Sequence, residues 1–339
     1  MLKKRDLVSM AVMAAVVALT LWLVLGGGRA ADIWTAMGQA RWPWLVLGGL
    51  LMVCYTATEG LQDKIALSAM GHRLPYRHCV QFAAAGFYFS SITPSSTGGQ
   101  PAQVFYMSRR GVPAAHGTLV MLLFTIAYQI VAVVWGIAAC FLAPEAPASL
   151  GTGLGVLLGY SLTTTALLTA GMILLLARPK PAEWFCRGCL RLGVRLKLVR
   201  NVEKAEEGLE KQLEEYRGGA AVIRSQPMLA VKLLGLAFVQ LTVRYFIPWT
   251  VYRALGLTGC TALRLVSTQA LVYLTVSCVP IPGTVGAAEG AFLAAYYNIF
   301  GGERVAAAML LSRTLAFYIP VLVTGVSTAI LHRQTAKTP

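Results

Sequence analysis

Apolar runs of about 20 residues recur along the whole chain between short basic or Pro/Gly-rich breaks, and that is the length a helix needs to cross a bilayer core of about 30 Å. Six runs read as full spans, at 7–27, 43–65, 115–142, 152–177, 227–253 and 305–331. Two further stretches, 80–111 and 262–302, do not fit a simple crossing. Each is apolar for a stretch too short to span comfortably, then meets a Pro/Gly/Ser cluster, then continues as a second short apolar segment. Backbone broken at membrane depth is tolerated only when buried in protein or lining a wet cavity, and paired broken segments in two halves of a chain point to a transporter's binding site. Arg73, Arg77, Arg109 and Arg110 flank the first stretch, so it is expected to enter and leave from the cytoplasmic face; the second lies between an outward and an inward span and is expected to enter and leave from outside. The predicted fold is an all-α polytopic membrane protein. It forms a single integral membrane domain over 1–339, with six full transmembrane helices and two oppositely oriented re-entrant helical hairpins in an inverted-repeat-like arrangement.

Composition agrees. Apolar residues make up 57% of the 339 positions and charged ones 13%, against roughly 45–50% and about 25% in soluble domains, which excludes a conventional soluble enzyme. The net charge of +15 sits between the apolar runs, where it orients the chain; no basic domain large enough to grip nucleic acid exists. Lys3, Lys4 and Arg5 place the N-terminus in the cytoplasm, and an even number of spans returns the C-terminus there, in the cell membrane. The segment 178–226 is then cytoplasmic. Its first part interleaves basic residues with Trp184, Phe185, Leu190, Leu192 and Leu196, as an interfacial element attracted to anionic lipid would. Its second part reads as a charged helix with Asn201 as N-cap and an i,i+4 pair from Glu207 to Lys211. Seven cysteines, an odd number mostly inside apolar runs, argue against a disulfide framework, and the Cys186–Cys189 pair lacks further zinc ligands. His72, His78, His116 and His332 are spread over cytoplasmic ends and suggest no metal site and no catalytic base.

The two hairpins carry the candidate chemistry. Free N–H groups and the macrodipole at a helix N-terminus favour an anion. In the first hairpin the returning half is expected to begin near Gly99 to Pro101, with Thr97 or Ser96 as cap, and Gly98 and Gly99 allow a close approach of backbone to ligand. Gln100 follows at the same place. In the second, the returning half begins near Gly283 to Gly286, with Thr284 as candidate cap and Glu289 in its first turns. Counted from the Gly301–Gly302 turn, Glu289 and Arg313 fall at similar depth on adjacent antiparallel helices and are placed to pair. Arg244, near the middle of the fifth span with Gln240 one turn before and Pro248 one turn after, needs a carbonyl, carboxylate or lipid phosphate. Glu59 and Asp63 lie on one face of the second span. They read as an interfacial cytoplasmic cluster, with ion coupling or contact with a cationic headgroup as the functional alternative. Tyr88, Tyr106, Tyr273 and Trp249 read as packing or belt residues.

The segments SSITPSSTGGQPAQVFYMSRRG and VPIPGTVGAAEGAF, in this order and spacing, resemble the two signature segments of the lysylphosphatidylglycerol synthase transmembrane family. That family includes the flippase module of multiple peptide resistance factors and its stand-alone relatives. The resemblance continues more weakly over nearly the whole chain, including Arg313 in LLSRTLAFYIP. It implies movement of lipids with modified headgroups between leaflets: aminoacyl-phosphatidylglycerol, glycolipids or polyprenyl-linked sugars. Bifunctional members add a soluble transferase domain; this chain ends at LHRQTAKTP, so the resemblance implies transport without synthesis.

The expected function is a lipid flippase whose site comprises Thr97, Gly98, Gly99, Gln100, Thr284, Gly286, Glu289, Arg244 and Arg313, with Glu59 and Asp63 as coupling candidates. No cofactor is expected, since no Walker loop is present to hold ATP. The expected partners are membrane phospholipids or lipid-linked sugars, a separate lipid-modifying synthase, and a second copy in a homodimer. Two alternatives stand beside this reading. One is a non-transporting scaffold for such a synthase; the other is a membrane lipid-modifying enzyme, which would call for a nucleophile with its base or a metal cluster, neither of which the sequence displays.

Overall fold

The computed structural model describes residues 35, 37–195 and 202–336. The first expected span, 7–27, lies outside the described residues, as do Asn201 and Leu196. Among the described residues every regular element is helical. Five helices are long and apolar enough to cross a membrane: α1 (Trp42–Ala69), α4 (Ala114–Leu142), α6 (Gly151–Ala177), α9 with α10 (Pro227–Tyr245 and Ile247–Ala254), and α13 with α14 (Val305–Arg313 and Ile319–Ala336). Their outward faces carry large exposed apolar side chains such as Leu50, Phe141, Leu167 and Leu322, a surface suited to lipid and costly in water. The chain is a multi-pass membrane protein.

Two of these spans are internally interrupted, each where a proline removes a donor. Pro248 cannot donate to the carbonyl of Arg244, and the helix restarts across Phe246. Pro320 cannot donate to Ala316, and Thr314–Tyr318 widens into a π turn directly after Arg313.

Between the spans lie the two broken pairs. The first runs α2 (Tyr76–Ile92), a 3₁₀ turn at Pro94–Ser96, and α3 (Gly99–Ser108). The second runs α11 (Ala262–Val276), a 3₁₀ turn at Pro282–Thr284, and α12 (Ala287–Phe300). Their leading arms, 17 and 15 residues, extend about 26 and about 23 Å, whereas the 28 residues of α1 extend about 42 Å. Both turns have one construction. Thr93 and Ile281, each preceding a proline, are extended at φ −113 and −114°. Ser96 and Thr284 occupy the same later place in the left-handed region, at φ 55 and 51°, and Gly98 and Gly286 then serve as N-caps of the trailing arms.

The halves exchange their packing. The spans before the two broken pairs, α1 and α9, lie against each other, and each trailing arm lies on the span that follows it. Each leading arm instead packs on the span belonging to the other half: α2 on α14, and α11 on α4. The two tips touch each other at the centre of this arrangement. Close approach of α1 and α2 requires Gly60, where a Cβ would meet the backbone of Val80 at 2.8 Å.

One end of the bundle is covered by α7 (Pro179–Arg195) and α8 (Val202–Arg224), joined by Arg187–Glu210 at 2.5 Å and Arg217–Glu183 at 2.6 Å. Trp184 and Leu192 are exposed on α7, as an interfacial element requires. Helix α8 is anchored beneath α4, where Gln212 accepts from the Ala115 amide at 3.0 Å. Two of the histidines are less dispersed than the sequence suggests. His72 and His116, 44 residues apart, meet with Nε2 and Nδ1 at 2.8 Å, and the other nitrogen of His116 lies 3.4 Å from Glu215 of α8. The turn after α1 and the start of α4 bring them together; spacing in the chain conceals it.

Burial and the neighbouring imidazole hold His72 below the usual imidazole range, against a smaller opposing pull from Glu215. The folded state therefore takes up a proton less readily than the unfolded chain, so the stability present above the ordinary value of about 6.5 is lost as the pH falls through it. Thermal unfolding of the purified protein should show a falling midpoint over that interval, and His72→Gln should flatten it; an unchanged pH profile in the variant would show that the contact carries no linkage.

Candidate functional site

The expectation that Glu59 and Asp63 sit at an interface is overturned: they are 5% and 0% exposed, inside the bundle. The reason lies in the partners that the fold brings to α1. Glu59 is acceptor-only when ionised, and both oxygens are filled by amides from other elements. Gln103 of α3 donates to Oε1 at 3.0 Å, and Gln240 of α9 donates to Oε2 at 3.1 Å. Gln62 in turn donates to the Gln240 side-chain oxygen at 2.8 Å. A Cβ at Gly86 would collide with the Gln103 side chain, so the glycine on α2 is what lets this glutamine reach the carboxylate. The polar chain thus joins α1, α3 and α9 through three glutamines, of which Gln103 drew no attention in the sequence: one amide in a short amphipathic segment gives no periodic signal.

One turn beyond Gln240 stands Arg244, half-buried. It donates to the Tyr55 hydroxyl at 3.3 Å and lies over the rings of Tyr55 and Tyr273 at 5.3 and 5.4 Å. Tyr128 adds its hydroxyl to that of Tyr55 at 3.3 Å. Among the described residues no carboxylate forms an ion pair with Arg244, so most of its five donors are open to another acceptor. Tyr273, expected as packing, is part of the wall beside this guanidinium. Tyr55 also meets Phe87 of α2 edge-on at 6.3 Å, two turns before the first tip.

The two tips differ in how they satisfy their backbone. At the first, the Gly98 amide is held by Thr93 at 2.9 Å, while Thr97 turns its hydroxyl back to the Pro94 carbonyl at 2.9 Å. Neither Thr97 nor Ser96 therefore caps α3, contrary to expectation. Gly98 and Gly99 are also not openings for a ligand: a Cβ at either would run into Thr93, Ser90 or the Gly86 carbonyl of α2, so they serve close packing of the two arms. Thr97 and Gln100 remain exposed, and Gln100 donates to Thr125 of α4 at 2.8 Å.

At the second tip the expected pair is present. Arg313 Nε donates to Glu289 Oε1 at 2.8 Å, its Nη2 donates to the Gly283 carbonyl at 3.2 Å, and its guanidinium stands 4.5 Å over the Phe317 ring. The other Glu289 oxygen accepts from the Gly286 amide at 2.7 Å. The carboxylate, 1% exposed, thus caps α12 itself. Thr284 bonds to the adjacent Gly283 carbonyl at 2.7 Å and does not cap the helix. Gly283, in the left-handed region, lies against Phe317 and the Ser91 carbonyl of α2, which interlocks the tips. Gly286 and Gly290, exposed one turn apart, have no atom within 4 Å of where a Cβ would project.

The arrangement holds one open arginine, exposed hydroxyl and amide groups at one tip, and bare backbone at the other. Among the described residues no three His, Cys, Asp or Glu side chains converge as metal ligands would. The sequence matches the family model described as the lysylphosphatidylglycerol synthase TM region over residues 10–324. It is also similar to a UPF0104 membrane protein of Archaeoglobus fulgidus, 24% identical over 275 residues that cover 78% of this chain and 79% of that protein.

Removing Glu289 strips Arg313 of its partner and frees the Gly286 amide, so Glu289→Ala should destabilise the protein by about 3–5 kcal/mol. Glu289→Leu combined with Arg313→Met should recover most of that loss in equilibrium unfolding, because no buried charge is then left alone. A double variant no more stable than the single one would show that the pair is not a closed electrostatic unit.

Proposed function

The chain belongs to the lysylphosphatidylglycerol synthase transmembrane family, and from that premise we propose that it carries the headgroup of an anionic lipid between membrane leaflets along the seam where the two broken pairs meet. The observations that support this most are the contact of two broken helices, tip to tip, and an arginine on α9 that has no carboxylate partner among the described residues. An arginine inside a membrane protein marks a functional group by default, and lipid phosphate matches the donors that Arg244 leaves open. Arg313 is taken up by Glu289 and serves as the clamp of the second tip, not as a phosphate ligand.

In this reading the acyl chains stay in lipid while the headgroup slides past groups that replace its water. Thr97 and Gln100 supply polar contacts, and the exposed Gly286–Gly290 face leaves room for backbone to approach the lipid. A cleft of about 700 Å³ between the end of α1 and the start of α9 joins apolar walls at Ile65 and Met228 to Lys64 and Lys232. That combination suits an anionic amphiphile waiting at the cytoplasmic face. The broken pairs are re-entrant from opposite faces, both termini are cytoplasmic, and the membrane is the cell membrane.

The test uses liposomes holding the purified chain and a trace of phosphatidylglycerol with a fluorescent headgroup. Dithionite should bleach the inner-leaflet label faster than in protein-free vesicles. Arg244→Gln removes a charged hydrogen bond worth about 1.5–3 kcal/mol and should slow translocation roughly 10- to 100-fold while the protein stays folded. Equal rates in wild type, variant and empty vesicles would sink the reading.

A further inference from the structure

We propose that Asp63 is the core of a binding site for one monovalent cation, a proton or an alkali ion, buried where α1 packs on α2. Its carboxyl is 0% exposed, and neither oxygen has a hydrogen-bond partner. Two further buried oxygens, Gln62 Oε1 and Gln103 Oε1 of the polar chain around Glu59, also lack partners. Their orientation is not arbitrary. With Glu59 ionised it accepts only, so the amide nitrogens of Gln103 and Gln240 face it, and the Gln240 carbonyl then faces the Gln62 nitrogen. With their donors committed in this way, Gln62 and Gln103 keep their carbonyl oxygens free in the polar chain around Glu59, one helical turn from a carboxyl that has no donor of its own.

Charge points the same way. Glu59 has Arg244 on the same stretch of the α1–α9 interface, through Tyr55 and Gln240, each one helical turn away. Asp63 has no such counterpart. The ionisable groups facing it are Glu59 on its own helix and the Cys79 thiol of α2, neither of which brings positive charge. Lys64, next in the chain, stands 6.0 Å over the Tyr76 ring, and Lys232 of α9 lines the outer cleft. A carboxylate stripped of water and left unpaired is the least tolerated group in an apolar interior. One positive charge is therefore missing from this site, and the Asp63 carboxyl offers two oxygens without partners, donors of the kind that suit hard cations.

The position also gives the ion leverage. Asp63 lies one turn from Glu59, and Glu59 grips Gln103 on the trailing arm just beyond the first tip. Gain or loss of a cation at Asp63 changes the field on that grip. Cation binding stands independently of the cargo, whereas its role as a driving ion rests on the lipid-transport reading above.

The chain contains three aspartates, Asp6, Asp32 and Asp63, so carbon-13 aspartate labelling makes infrared spectroscopy nearly site-specific. In purified full-length protein carrying Asp6→Asn and Asp32→Asn, Asp63 is the sole labelled reporter. A protonated carbonyl band at neutral pH, lost in alkali and indifferent to Na⁺ against choline, identifies the proton. A carboxylate band moved by Na⁺ but not by choline at fixed pH identifies the alkali ion. In either case the thermal midpoint of the wild type should shift by several degrees with that cation, and Asp63→Asn should abolish the shift. A free carboxylate at neutral pH that responds to neither cation overturns the site. Because no lipid enters these measurements, their failure is distinguishable from failure of the liposome assay.

Discussion

A helix interrupted inside an apolar bundle leaves N–H and C=O groups that only the protein can satisfy, and the rest of this structure is arranged around meeting that demand. At the first interruption the means are small: the Thr93 hydroxyl reaches the Gly98 amide and the arms close on Gly86 and Gly99. At the second they are ionic, with Glu289 on the Gly286 amide and Arg313 on both Glu289 and the Gly283 carbonyl. The π turn that follows Arg313 belongs to the same solution, since Phe317 within it stacks on the guanidinium and fills the space beside Gly283.

Because the second break is sealed by the protein's own carboxylate, the two tips cannot be equivalent as ligand sites. The one with neutral capping has exposed Thr97 and Gln100, and the one with ionic capping offers exposed glycine backbone. Arg244, without a carboxylate partner among the described residues, is held against aromatic faces that fix its place and compete weakly for its donors. A guanidinium so placed is positioned in advance and lightly engaged, which suits a ligand that has to leave again.

Much of the architecture was legible in the sequence because bilayer thickness writes itself into run length, and proline with glycine marks the two broken pairs; the interruptions before Pro248 and Pro320 were hidden inside runs long enough to span. The Glu289–Arg313 pair followed from counting residues outward from a turn. What escaped was set by contacts between distant segments. Thr97 and Thr284 carry the right functional group for a cap, yet each turns it to a nearer carbonyl, a choice of rotamer that composition does not specify. Glu59 and Asp63 read as interfacial because charge normally seeks water; burial of Glu59 depends on Gln103 and Gln240, 44 and 181 residues away. His72 and His116 were separated for the same reason.

The exchange of leading arms between the halves bears on how the protein is made. Helix α2 rests on α14, which comes far later in the sequence, so during synthesis the first broken pair emerges long before the surface that will cover it exists. Its unpaired turn must be sheltered for that interval by lipid headgroups, water or the insertion machinery. Neither half holds a complete set of neighbours, so the first broken pair is not covered until α14 has arrived.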